Sequence, residues 1–348
     1  MKAILIILGI MVISLNLQAV TSKKEYQKSF DKGDIKEVVI SNQYGQIEVE
    51  QKEADQITVS ASIAVTAKSG SKADELMEYI DVKDVVNGAF LNLETTIGKD
   101  MTFKQLLSGV EIAINYKVII PKGIKLRLIN KEGNVFVDNF SGDLIVDIKS
   151  GNFQGGSLKE GELQINQSDG SLRITDVDKL NGQFKGCDIK IDNANEIKIS
   201  PDNCTGTLES VTRLNISSRG GEWKLGQIES MNGNAGSTKF EIQDIGDELK
   251  MDMKYGEINV RNIHFNFSAV EVKGSYTKVG LTFMDGAGYN LELRYNKALK
   301  RMDLPRSLKL TEQPTSEKNV IVKTGFVGDK KYNGKVLVDI RSGNLYIQ

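Results

Sequence analysis

The sequence predicts an all-β chain, a single-domain β-solenoid (β-helix) with repeats of about 18–21 residues, a short N-terminal helix and irregular capping segments. Three observations predict it. Apolar residues alternate with polar ones over long stretches. Glycines recur at a nearly constant step. One decapeptide is written twice, LIVDIKSGNF at 144–153 and VLVDIRSGNL at 336–345.

Alternation of period two means strands with one buried face. Val135/Val137, Leu144/Val146/Ile148, Leu163/Ile165 and Leu172/Ile174 are the inward candidates. The same pattern continues through Ile189/Ile191, Leu214/Ile216, Phe240/Ile242, Ile258/Val260, Val270/Val272 and Leu291/Leu293. Gly133, Gly142, Gly151, Gly161 and Gly170 punctuate the first of these runs, and Ser, Glu or Asp precedes each. A glycine after a short polar residue suits a tight turn, because glycine accepts a positive φ and the polar side chain can bond the turn backbone. Gly133, Gly142, Gly151, Gly170 and Gly343 are therefore read as structural turn glycines. The decapeptide is a strand, a corner and the start of the next strand, repeated because the corner repeats. A sandwich requires no fixed period, so the steady step favours stacked repeats.

The ends break the pattern. In SKADELMEYIDV, residues 71–82, Leu76, Met77 and Ile80 stand at helical spacing. Residues 99–109 and 296–334 are polar and irregular, with Pro305 and Pro314 in the second stretch. Such segments suit caps over a terminal repeat, whose open edge invites pairing with other chains. The expected organisation is a leader at 1–19, a β-rich cap and first strands at 20–128, repeats at 129–295, and a loop-rich segment at 296–348 that ends in one more repeat strand.

Lys2 and the uncharged apolar run Ala3–Leu15 read as a secretory signal peptide, too short for a spanning helix of about 20 residues. An uncleaved anchor is the alternative. The chain is expected to be exported, to a periplasm or the cell surface, with no transmembrane span after cleavage. Two cysteines, Cys187 and Cys204, stand about one repeat apart. In an oxidising compartment they are a possible disulfide, and two free buried thiols are the other reading. A formal net charge of −1 gives no electrostatic reason to expect a nucleic-acid partner.

The segment NYKVIIPKGIKLRLINKEGNVFVDNFSGDLIVDIKSGNF resembles the bacterial "putative adhesin" family of β-strand-repeat proteins. It has an extended strand at Tyr116–Ile120, a Pro-x-Gly step at Pro121-Lys122-Gly123, and then strands punctuated by Gly133, Gly142 and Gly151. VVISNQYGQIEVEQKEADQITVSASI and the closing GKVLVDIRSGNLYIQ have the same style. The resemblance implies a β-strand repeat fold and brings no catalytic residues.

No reaction is written in the sequence. His264 is the one histidine, so any Ser-His-Asp arrangement must use it, and no GxSxG elbow accompanies it. Its neighbours Ile263, Phe265 and Phe267 alternate inward, which turns His264 outward. Asp138, Asp143, Asp147, Asp169, Asp176 and Asp188, with Arg173, could form the acidic face of a polysaccharide-cleaving β-helix, although outward charges are ordinary on strands. Gly155-Gly156 begins a calcium-type nonapeptide that Lys159 interrupts. Neither a catalytic residue, a metal ligand nor a cofactor site is assigned. Tyr44, Tyr255 and Tyr276 lie beside turns and could touch glycan or protein, or pack over a neighbouring repeat. The expectation is a non-enzymatic surface for adhesion or for contact with an envelope protein or glycan. The alternatives are a polysaccharide-active enzyme and a structural or sensor protein of the envelope.

Overall fold

The computed structural model describes residues 19–98, 109–297, 299, 301–305, 308–328 and 330–348. The expected leader falls almost wholly outside the described residues, as does the irregular stretch 99–108. Among the described residues, no helix is long and apolar enough to cross a membrane.

The fold is all-β. Among the described residues, seventeen strands join one sheet that nearly closes on itself around a continuous apolar core. At the N-terminal end, β1 (Val20–Asp31) pairs antiparallel with β4 (Gln56–Ala67), and β4 with β7 (Glu111–Pro121). The hairpin of β5 (Ile80–Asn87) and β6 (Phe90–Ile97) adds a second antiparallel layer. Between them, β2 (Glu37–Gln43) runs parallel to β6 and to β8 (Lys125–Lys131). Beside it, β3 (Ile47–Lys52) runs parallel to β7 and to β9 (Val135–Ser141).

From β8 to β12 the strands pair in parallel. β10 (Leu144–Lys149) lies between β8 and the first part of β11 (Phe153–Ile263). Leu126, Leu144 and Leu163 stand side by side in these ladders, and so do Val135 and Phe153. β11 runs for 111 residues but is not straight, because left-handed residues bend it at intervals. It hands over to β12 (Ala269–Phe283), again parallel, with Leu249 beside Val270. The inward positions expected from the alternation, Val146, Ile148, Leu163, Ile165, Leu172 and Ile174 among them, are buried. Trp223 and Phe240 are the bulkiest fully buried side chains of the later part.

The C-terminal strand returns to cover β12. β17 (Gly334–Ile347) pairs parallel with β12, with β13 (Gly288–Asn296) and with β14 (Arg301–Asp303). β16 (Val320–Gly328) pairs antiparallel with β13, and β15 (Thr311–Gln313) with β16. The stretch 296–334 was expected to be irregular, yet it holds β14, β15 and β16.

The helix α1 (Gly70–Met77) is shorter than the 71–82 expected. Ser69 caps it, accepting from the Lys72 amide, and Ala73 and Leu76 face the core. Ile80 is buried as the first residue of β5, so tertiary pairing ends the helix before the spacing does.

Candidate binding face

The corner of the repeat is a triplet. At its middle position the backbone is left-handed, with φ of 57° at Glu132, 55° at Ser150, 55° at Asp169, 60° at Gly186 and 52° at Asn203. Gly220, Ser237, Tyr255 and Tyr276 continue the series. The third position is always small: Gly133, Gly151, Gly170, Cys187, Cys204, Gly221, Thr238, Gly256 and Thr277. Adjacent corners bond through the backbone, Glu132 N–H to the Lys149 carbonyl at 2.8 Å and Ser150 N–H to the Ser168 carbonyl at 2.9 Å.

This corrects the role assigned to three glycines. Gly133, Gly151 and Gly170 do not supply the positive φ; the polar residue before each does. They are glycines because the neighbouring corner lies against them. A Cβ on Gly151 would sit 1.9 Å from the Gly133 carbonyl oxygen, far inside contact distance. Gly142 and Gly343 do carry positive φ, 127° and 131°. The two copies of the decapeptide therefore bend differently. The first bends at Ser150, while the second bends at Gly343 beside an irregularity in the β12–β17 register.

The cysteines belong to the same column. Cys187 and Cys204 are both buried and both free thiols, so the disulfide expected as one option is not formed. Each S–H donates to the carbonyl two residues earlier, Cys187 Sγ to Lys185 at 3.3 Å and Cys204 Sγ to Asp202 at 3.4 Å. Thr238 and Thr277 make the same bond with their hydroxyls, at 3.0 and 3.1 Å. Cysteine thus substitutes for threonine as a small inward donor. Hydrogen bonding with Cys204, together with burial, pushes the Cys187 thiol well above its ordinary range.

The first position of the triplet faces outward and is basic at five of the nine corners: Lys131, Lys149, Lys185, Arg219 and Lys254. The outward position two residues earlier reads Ile129, Asp147, Asn166, Gln183 and Ser200. Together these rows enclose an open groove of about 480 Å³. Its two carboxylates are matched, Asp147 by Arg127 at 2.9 Å and Asp202 by Arg219 at 3.5 Å.

The other candidates are dispersed. His264 follows β11 in a short loop, and Phe265 beside it is 41% exposed, not inward as the alternation implied. His264 shares a shallow hollow with Ser210, Glu229 and Asp244, but Asp244 accepts from Asn262 at 3.0 Å. Among the described residues no Ser-His-Asp relay is formed through His264. Arg173 reaches Asp188 at 3.9 Å, and Asp138 and Asp143 bond neighbouring groups elsewhere. Among the described residues, no three His, Cys, Asp or Glu side chains gather as metal ligands. Tyr44, Tyr255 and Tyr276 all occupy left-handed positions. Tyr255 and Tyr276 stack across two neighbouring corners, centroids 5.1 Å apart, and both remain exposed.

The basic row was not singled out from the sequence, although its signal was there. Aligning the chain on the corner rather than on the glycines gives KEG, KSG, SDG, KGC, DNC, RGG, GST, KYG and SYT. Cysteine and threonine in the third column hide the register from a search for glycine.

No protein-family model and no curated protein matches this chain. Several solved structures are similar to it. A "putative cell adhesion protein" from Clostridium sporogenes is 10% identical, covers 94% of this chain and 99% of its own, and has a TM-score of 0.22. A "putative adhesin" from Parabacteroides merdae is 13% identical over 75% of this chain and 97% of its own, with a TM-score of 0.37. A "putative lipid binding protein" from Parabacteroides distasonis is 13% identical over 74% and 93%, with a TM-score of 0.35. At these identities and scores the likeness does not assign a family.

Proposed function

We propose that this chain is an exported, non-enzymatic β-solenoid that presents its long outer faces as a binding surface at the cell envelope. The observation that carries the reading is the corner triplet. It recurs at Glu132, Ser150, Asp169, Gly186, Asn203, Gly220, Ser237, Tyr255 and Tyr276, and it lines up outward residues in rows, with a basic residue at five of the nine first positions. Parallel ladders with Leu126, Leu144 and Leu163 abreast support stacked repeats. A row of similar groups suits an extended partner better than a small substrate, which is held in a concave and largely apolar pocket. The partner class is an envelope protein or glycan.

The reading is tested by incubating the purified protein with cell-envelope fractions and following both retention and substrate turnover. Retention without release of new sugar ends or peptides is the expected result. Turnover of any envelope polymer overturns the non-enzymatic part. Protease treatment of intact cells should remove the protein if it is displayed at the surface.

A further inference from the structure

We infer that the groove crossed by Lys131, Lys149 and Lys185 binds an extended anionic polysaccharide. This rests on the binding-surface reading above and gives it a site and a ligand class.

The first argument is uncompensated charge. Asp147 and Asp202, the carboxylates that line the groove, are already paired with Arg127 and Arg219. Among the described residues, Lys131, Lys149 and Lys185 form no ion pair. Some lysines on other strand faces are paired with a carboxylate two residues away: Lys239 with Glu241 at 2.7 Å, Lys273 with Glu271 at 2.7 Å, Lys190 with Asp192 at 3.7 Å.

The floor gives the ligand its second property. Asn166, Gln183 and Ser200 offer amide and hydroxyl groups that both donate and accept. Asn166 spends one donor on Asp147, and the rest face the open groove. Such a floor suits ring hydroxyls. One half-buried apolar side chain, Ile129, joins this floor at the Lys131 row.

Shape supplies the third. Parallel strands stack about 4.8 Å apart, so the rows from Lys131 to Arg219 span about 24 Å. Lys131, Lys149 and Lys185 are therefore spaced to meet a charge that recurs along a thin polymer. A nucleic-acid duplex is a poorer fit. It is broad enough to press on Glu132 and Asp169, the acidic corner residues beside the row, and the whole chain has a net charge of −1.

The test measures equilibrium binding of the purified protein to three probes: polygalacturonate, neutral pullulan and a short DNA duplex. Polygalacturonate should bind at low salt and weaken as salt screens the lysines. Pullulan should not bind. The triple variant Lys131→Glu/Lys149→Glu/Lys185→Glu should lose at least about tenfold in affinity with an unchanged melting temperature, since all three side chains are exposed. The milder triple Lys→Gln should also lose affinity, so a misfolded Glu variant does not leave the point open. Lys190→Glu/Lys224→Glu/Lys239→Glu carries the same charge change past the corner and should stay within about threefold of the parent.

Equal losses in the two Glu triples would show bulk charge at work and overturn the site. So would an absence of polygalacturonate binding, or equally tight binding of duplex DNA. Envelope retention that survives the groove triple overturns this proposal and leaves the broader reading standing. Shortening of polygalacturonate overturns the broader reading itself.

Discussion

Gly151 and Ser150 divide the work that one glycine was expected to do. Ser150 bears the left-handed backbone at φ 55°, a conformation that costs an L-residue about 1–2 kcal/mol. Gly151 bears the contact, with the Gly133 carbonyl where its Cβ would be. The two mutations should therefore move stability in opposite directions. Gly151→Val should destabilise by about 3 kcal/mol or more, as overpacking against backbone that cannot yield. Ser150→Gly should be neutral or stabilising by about 1 kcal/mol. Denaturant midpoints of the two variants check both, and a stable Gly151→Val would remove the stacked-corner account. The cysteines extend the same logic. Cys204→Thr should keep the bond to the Asp202 carbonyl and leave the midpoint nearly unchanged. Cys204→Val should leave that carbonyl unpaired, at a cost of about 1–3 kcal/mol. Thiol titration of the unfolded, unreduced protein should find two free thiols. At this scale the sequence made the inward alternation legible, because burial follows period two. It did not reveal which corner residue is left-handed, because a polar residue and a glycine side by side both tolerate the turn.

Among the elements, the strands between Val135 and Ile174 were the most legible, with clean alternation on one buried face. β16 was not. VIVKTGFVG alternates only at Val320 and Val322 before Thr324-Gly325 interrupts it, and Pro305 and Pro314 nearby read as loop. Its strand state comes from pairing with β13, a contact distant in sequence. The helix was legible in place but not in length, because Ile80 joins β5. Ser69→Ala should cost about 1 kcal/mol by removing the N-cap. The closing strand should matter more. β17 covers the edge of β12 and also supports β13. Removing residues 334–348 should expose both edges and cause association, visible as increased light scattering. A truncated chain that stays monomeric and melts as the parent does would contradict the capping role.

Over the whole molecule, charge ties the antiparallel N-terminal layers together. Lys24 bonds Asp81 at 3.0 Å and Lys28 bonds Asp84 at 2.5 Å, joining β1 to β5. Hydrogen bonding to these lysines holds both carboxyls below the usual carboxylate range. A depressed folded pKa contributes stability above the unfolded value, near about 4, and that contribution is lost as the pH falls through the folded value. The double variant Lys24→Met/Lys28→Met should therefore show a flatter decline of melting temperature in acid than the parent. At the alkaline side, burial pushes the Tyr116 and Tyr289 phenols up to about 12. Their contribution should be present below about pH 10 and fade as the pH rises toward 12. The candidate groove was the least legible feature. It exists only when the rows of Lys131, Lys149 and Lys185 are brought into register, and no single segment of the chain contains it.

That register is the central claim, and distances between spin labels measure it most directly. Labels would be placed at Lys131, Lys149, Lys185, Arg219 and Lys254, in a Cys187→Thr/Cys204→Thr background. If each corner is one step along a stack, separations from Lys131 should lengthen steadily by about 4.8 Å per row, reaching about 34 Å at Lys254. Separations that rise and then fall along the series, as strands of a closed barrel or sandwich would give, would contradict it.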